Sequence, residues 1–438
     1  MKEWNIMSKA TDLSGISFTC GYYPLDDENL SRFYVDTKEA RGIDVLNNLL
    51  LDFEILPQEY KIYQQVAFLG HIGSGKSTLL YQLEKALSSD YNVIRFSVQE
   101  LLDINNISFS DLICVMFERT LFTFKDSFTK KDIKLQQRIL DMWYATTQIE
   151  KADWHASEID VDATAGVGIS SKLVELMTKL TSSIKYGSEM KEKVTLEIKN
   201  DINKYIAALN DLLQCVCNMN NKSVLFLFED LEKISVDCAE EIFVNRSDYF
   251  RRINAGMLLT TPIYLKYNLN FINALKQNFT CYEICPMIAV TDKNHVPLRA
   301  AVDTMKKIVY KRVDESLIDE EVLKKMILAS GGVLRDLFSM LTNASKKAKS
   351  EQRTKIEEID YEYAFDKLQI EYSDVLREEY LDIILSVYNN PDGLVQNKDD
   401  YFKLMKQEVI IEYNCEQWRG VHPAVIKYLE KKHLLEMR

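Results

Sequence analysis

The chain of 438 residues is poor in the residues that interrupt regular structure, with seven prolines and fourteen glycines. Long helices are therefore expected to dominate, because Pro removes a backbone donor and Gly carries a large entropy cost inside a helix. No apolar run approaches the roughly 20 residues that a membrane-spanning helix needs. The first residues, "MKEWNIMSKATDLSGISF", lack the basic-then-apolar layout of a secretory signal. Eight cysteines, at 20, 114, 215, 217, 238, 281, 285 and 415, are scattered without zinc-ligand spacing, so buried free thiols and a reducing, cytoplasmic setting are expected. Positive charge is short as well. Lys and Arg number 54 against 66 Asp and Glu, and the net charge of −12 argues against a general nucleic-acid binder.

What is present is a phosphate cradle. Val66 to Leu69 read as a buried strand, and the chain then breaks into Gly70-His71-Ile72-Gly73-Ser74-Gly75-Lys76-Ser77-Thr78. This fits G-x-x-x-x-G-K-[ST], with the strand before and the helix after that the motif requires. The helix shows in Leu79, Leu80, Leu83, Ala86 and Leu87, which share one face. Glycines let backbone N–H groups turn toward an anion, and the helix N-terminus adds its positive dipole end. Lys76 is expected to reach the outer phosphates of ATP and the Ser77 hydroxyl to ligate Mg²⁺.

Further strands are expected at Asn92–Val98, Ser223–Phe228, Gly256–Leu259 and within Cys281–Val290, alternating with helices. That order predicts an α/β fold, a parallel P-loop sheet with helices on both faces. A core over 1–295 would carry a helical insertion at about 145–220, including the small-residue stretch Ala163–Gly168. The stripe Val194, Ile198, Ile202, Tyr205, Leu209, Leu212 and Val216 recurs at helical spacing, and reads as core packing or as a coiled-coil partner surface. A helical lid over 296–350 follows. The charged "SKKAKSEQRTK" at 345–355 reads as a linker, and 30–55 as one amphipathic helix. Residues 356–438 hold helices, then Val409–Tyr413, a turn at Asn414-Cys415-Glu416, Gln417–Val421 and a helix begun by Pro423, the order of a winged-helix domain.

An NTPase needs a carboxylate for Mg²⁺ at the tip of the strand beside the P-loop strand, and a second to orient the attacking water. Glu229 and Asp230 end the third strand. Glu229 is assigned the metal and Asp230 the catalysis, an order the sequence does not fix. Thr260 and Thr261 end the fourth strand, where Thr261 would sense phosphate or hold water, or simply shape the turn before Pro262. Arg335, shortly after Gly331-Gly332, is an always-charged planar fork suited to reaching a γ-phosphate from the lid.

The order of P-loop, acidic strand end, Thr-tipped strand and "IVYKRVDESLIDEEVLKKMILASGGVLRDLFSMLTNASKKA" resembles the AAA+ and STAND ATPases, most of all their origin-recognition-initiator-like branch. The resemblance implies that Arg335, with Gly332 and Leu337, is a lid "sensor 2" arginine. It also implies that Arg312 stands where the lid's first helix has an arginine, and that Arg41-Gly42 belongs to an adenine-side segment. The chain is also similar to bacterial P-loop ATPases with a C-terminal winged helix, some of whose relatives serve in anti-phage defence. It departs from ring-forming relatives in one respect: "KYNLNFINALKQNFTCYEI" carries Lys266 and Lys276 but no arginine finger, and Arg251 and Arg252 precede the fourth strand. A slow switch that signals to a protein partner, or to another copy, through the insertion or the winged helix is therefore expected. The alternative is a nucleic-acid-loading ATPase whose winged helix binds DNA. Residues 356–438 hold ten Lys and Arg against eighteen Asp and Glu, a net of −8, which disfavours it. A metabolic kinase would need an acceptor pocket and a base that the sequence does not offer.

Overall fold

The structure is a computed structural model that describes residues 8–21, 27–54, 63–147, 165–394, 399–413 and 418–435. Five parallel strands form the central sheet: β1 (Gln65–Gly70), β2 (Tyr91–Ser97), β3 (Ser223–Glu229), β4 (Gly256–Pro262) and β5 (Cys281–Cys285). Their order is β2-β3-β4-β1-β5. The strand expected beside the P-loop strand is thus not its neighbour, because β4 stands between β1 and β3. Hydrogen-bonded ladders pair Leu69 with Thr261, and Ser97 with Glu229. The strand tips carrying Gly70, Thr261, Glu229 and Ser97 therefore lie along one edge, the C-terminal edge where parallel sheets place their sites.

Side-chain alternation divides β1 between two cores. Val66 and Phe68 pack with Leu79, Leu80 and Leu83 of the helix Lys76–Leu87 and with Val45 and Leu49. Ala67 and Leu69 face the larger core, which takes in the helices between β2 and β3. Burial on both faces explains why β1 and β3 read as continuous apolar runs.

The helical tract between β2 and β3 begins at Phe109, well before the expected 145, with helices Phe109–Phe124, Ile133–Thr147, Ala165–Lys185, Glu189–Asn200 and Ile202–Asn220. Trp143 fills its centre, 5.3 Å from the rings of both Phe117 and Tyr205. Val194, Ile198, Ile202, Tyr205, Leu209, Leu212 and Val216 are all buried, so this stripe is core packing and not a surface open to a partner. Ala163 and Thr164 lie outside the described residues.

Two local expectations are corrected. The single helix over 30–55 is three short ones, Asp27–Phe33, Lys38–Arg41 and Val45–Asp52, the second break falling where Gly42 takes φ +71°. The charged tract at 345–355 is mostly helix: Leu334–Ser350 runs through it with Ala344, Ser345 and Ala348 buried beneath the lysines.

The lid helices are Arg299–Arg312, Glu320–Ala329 and Leu334–Ser350. The turn between the last two needs its glycines. Gly332 has φ +84°, and a Cβ there would stand 1.9 Å from the Ile288 carbonyl oxygen. Beyond the lid come helices Glu358–Ser373, Leu381–Asn389 and Asp399–Lys406, the antiparallel pair β6 (Ile410–Tyr413) and β7 (Trp418–Val421), and helix Pro423–Lys431 capped by His422. The expected turn at 414–416 lies outside the described residues. Among the described residues no helix is long and apolar enough to cross a membrane.

Candidate functional site

The cradle follows β1. Gly73 and Gly75 take φ +76° and +93°, the left-handed conformations that let successive backbone amides face one point. Lys76 is buried, and its ammonium donates to the carbonyls of Gly70 at 3.1 Å and His71 at 2.6 Å. The Ser74 hydroxyl is buried without a hydrogen-bond partner, as expected of a group awaiting a ligand. Ile72, Ser77 and Thr78 are half-buried along the cradle.

Arg41 is brought to this loop. Its guanidinium donates to the Ser74 carbonyl at 2.5 Å and to the Pro286 carbonyl, tying the segment before β1 to the cradle. Arg312 instead braces the lid: it donates to the carbonyls of Phe33 and Ile308 and lies over the Phe33 and Phe338 rings.

The Ser77 hydroxyl lies beside Glu229, where it favours the ionised carboxylate. Burial raises the Glu229 carboxyl above its ordinary range, opposed by Arg95, with which it forms an ion pair, and by Ser77. A hydroxyl and a buried carboxylate are hard oxygen donors that fit Mg²⁺, which takes few protein ligands and completes its shell with phosphate and water. Among the described residues no group of three or more His, Cys, Asp or Glu forms a metal cage, and a P-loop Mg²⁺ needs none. Glu229→Ala is expected to leave metal-free ATP binding nearly intact and to remove the gain that Mg²⁺ adds. Calorimetric titration with and without Mg²⁺ measures this, and an undiminished Mg²⁺ effect would refute the assignment.

Asp230 sits elsewhere. At φ +70° it turns its carboxylate to Lys233, 2.7 Å away, and to the Ser97 hydroxyl at the tip of β2. The carboxylate at Lys76 is Glu232, 3.1 Å from the ammonium and equally buried. Sequence reading passed over Glu232, because the apolar run that marks a strand tip ends four residues earlier, at Phe228. The two threonines also divide. Thr261 donates to the Leu259 carbonyl of its own strand at 2.8 Å, while the Thr260 hydroxyl accepts from the Leu231 N–H at 3.1 Å and holds the acidic turn.

Arg335 reaches the cradle from the lid: its Cβ and the Val333 side chain stand 3.7 and 3.5 Å from where a Cβ on Gly73 would be. Among the described residues its guanidinium makes no hydrogen bond or ion pair, and its charge acts on Glu408.

The C-terminal region closes the cradle. The buried His71 turns its imidazole toward the C-terminal region, and Nε2 accepts the Glu412 N–H of β6 at 2.8 Å. Burial and the Lys76 charge push His71 down to about 3, so it is neutral. Glu408, in the left-handed region at φ +59°, is buried against Gly73, and its Oε1 has no partner. Glu412 takes Lys266 at 2.5 Å and the Tyr267 hydroxyl, and Tyr413 donates to the Gly331 carbonyl at 2.8 Å. Lys266 is thereby committed within the chain, as are Arg251 to the Gln277 carbonyl and Arg252 to Asp248.

No family model matches the chain, and no curated protein matches it. Among solved structures it is similar to the Walker-type ATPase PABY2304 of Pyrococcus abyssi, with 12% identity over 94% of this chain and 99% of that one, at a TM-score of 0.44. It is similar to Cdc6p from Pyrobaculum aerophilum, with 10% identity over 96% and 99% of the two chains and a TM-score of 0.39. The Aeropyrum pernix ORC1 protein, solved in complex with DNA, matches with 10% identity over 92% and 94% of the chains and a TM-score of 0.40.

Proposed function

We propose that this protein is a nucleotide-gated switch: it binds ATP with Mg²⁺, hydrolyses it slowly, and passes the state of the site to a protein partner through its C-terminal region. The reading rests above all on one observation, that the imidazole of P-loop residue His71 is hydrogen-bonded to the backbone of β6 at 2.8 Å. A change at the phosphates thus has a short mechanical route to the C-terminal hairpin, which we read as the wing of a winged helix. Glu408 adds a steric reason for coupling. Its buried side chain stands against Gly73 in the cradle, so ATP favours a state in which the 399–413 segment has moved away, whereas Arg335 favours ATP by holding the lid to it.

Slow turnover follows from the basic residues. The helix Leu269–Asn278 carries no arginine, and a charge supplied to the transition state by such a finger is worth about 10³–10⁵ in rate. The acidic balance of 356–438 favours a protein partner over DNA. The resemblance to bacterial P-loop ATPases with defence relatives is what supports a setting in anti-phage defence.

Arg335→Ala tests the sensing step. Its charge-assisted contacts form only with a γ-phosphate, and hydrogen bonds to charged groups contribute about 1.5–3 kcal/mol. ADP affinity is expected to stay within about twofold, and ATP affinity to fall by roughly 10- to 100-fold by that magnitude. Equal losses for both nucleotides in calorimetry would remove Arg335 from the sensing role.

A further inference from the structure

Two carboxylates follow Glu229 in the acidic turn, and the fold gives them opposite surroundings. Asp230 has both oxygens occupied, one by the Lys233 ammonium at 2.7 Å and the other by the Ser97 hydroxyl. Glu232 is buried within the site. Its Oε1 lies 3.1 Å from the Lys76 ammonium, and its Oε2 has no hydrogen-bond partner. The turn that carries it is fixed by the Leu231 N–H on the Thr260 hydroxyl at 3.1 Å, so Glu232 is held by the strand next to β1. An unpartnered buried carboxylate oxygen is costly and calls for an explanation.

We propose that Glu232 is a catalytic residue, the carboxylate that accepts the proton of the attacking water during ATP hydrolysis. The proposal rests on the reading of the cradle as an ATP site. In the nucleotide-free protein Glu232 and Lys76 neutralise each other. When ATP binds, Lys76 is drawn to the β- and γ-phosphates. Glu232 then stands beside the phosphate-binding ammonium with acceptor capacity on both oxygens and no protein donor to satisfy it. A water placed there donates one hydrogen to Glu232 and directs its lone pair to the γ-phosphorus. The new O–P bond forms as the bond from the γ-phosphorus to the β–γ bridging oxygen breaks. The electron pair of that bond leaves with ADP, and the proton on Glu232 is afterwards released to solvent. The balance is ATP and water to ADP, phosphate and a proton.

The pairing with Lys76 has a second consequence. ATP must take Lys76 from Glu232, so the same carboxylate that promotes hydrolysis opposes binding. Affinity and rate should therefore move in opposite directions when Glu232 is neutralised, which a merely structural residue would not produce.

The test uses the full chain, with Mg²⁺·ATP affinity from calorimetry and the chemical step from single-turnover kinetics. Glu232→Gln is expected to bind Mg²⁺·ATP as tightly as the wild type or tighter. Its single-turnover rate should fall by at least about 100-fold, the lower range of a general base. Asp230→Asn is expected to lose at least tenfold less rate than Glu232→Gln. If Glu232→Gln does not fold, Glu232→Asp carries the test. It keeps the charge beside Lys76 and retracts the carboxylate by about one bond length, so affinity should hold and rate should fall at least tenfold, as a misplacement of about 1 Å costs up to 10². A Glu232→Gln rate within threefold of wild type overturns the proposal, as do parallel losses of affinity and rate. So does a greater loss in Asp230→Asn, which would mean that Asp230 leaves Ser97 when nucleotide binds. Wild-type protein that binds ATP without hydrolysing it also overturns the proposal. Wild-type protein that binds no ATP contradicts the nucleotide-site reading itself.

Discussion

Replacing Lys76 with alanine is expected to abolish ATP binding and, separately, to destabilise the fold by about 3–5 kcal/mol. The first loss follows from the position of the ammonium, which points into the cradle from the first turn of the helix Lys76–Leu87 and is the charge that the outer phosphates need. The second follows from its partner. Lys76 and Glu232 are both buried, and removing the cation leaves the carboxylate in the interior without a counter-charge. Breaking a buried pair from one side is far more damaging than removing both members. Lys76→Ala with Glu232→Gln should therefore recover much of the lost stability while still failing to bind ATP. Urea unfolding and calorimetry on the two variants separate the effects. An alanine variant of wild-type stability would mean that the Lys76–Glu232 pair is of no consequence to the fold.

A second large effect, of opposite sign, is expected at Glu408. Burial pushes its carboxyl up to about 8, with Asp336 adding to the rise and Arg335 and Lys76 opposing it. An unfolded chain holds the same group at its ordinary 4.5. The folded protein therefore binds a proton that the unfolded chain has lost at neutral pH. Stability from this group is intact below about pH 4.5, falls as pH rises from there to about 8, and then levels off. At pH 7 the cost is about 3 kcal/mol, at 1.36 kcal/mol per unit of pH. Glu408→Gln keeps the shape and removes the ionisation, so it should stabilise the nucleotide-free protein by about that amount at pH 7 and flatten its stability profile between pH 5 and 8. Chemical denaturation across that range checks both. A glutamine variant that follows the wild-type profile would mean that Glu408 is not held protonated against the cradle.

The parts of this architecture that are local in sequence were legible, and the parts made by distant packing were not. The P-loop could be read because its glycines, lysine and serine act through backbone geometry within nine residues. Buried parallel strands announce themselves as apolar runs, and β3 ends at Glu229, where the apolar run stops and Asp230 turns the chain at φ +70°. The order of those strands is not written in any one of them, which is why β4 between β1 and β3 went unforeseen. The tract 345–355 reads as a linker by its charge, yet Ala344, Ser345 and Ala348 form a narrow buried face that a count of lysines hides. Glu408 and Glu412 sit in "QEVIIEY", where a glutamate ordinarily means a solvated face. Only tertiary structure carries them to Gly73, His71 and Lys266, more than 140 positions away in the chain. Glu232 is hidden for a related reason, since a tight turn with Asp230 at φ +70° swings it back toward Lys76.

The central claim is that the γ-phosphate and the docked C-terminal segment compete for one cradle. Backbone hydrogen exchange on the full-length protein tests it most directly, comparing ADP with a non-hydrolysable ATP analogue. The amides of 405–413, including the Glu412 N–H that His71 now accepts, should exchange at least tenfold faster with the ATP analogue than with ADP. The lid turn and helix over 331–350 should become more protected as Arg335 engages the γ-phosphate. Identical exchange of 405–413 in the two nucleotides would contradict the account, because β6 would then be insensitive to what the cradle holds.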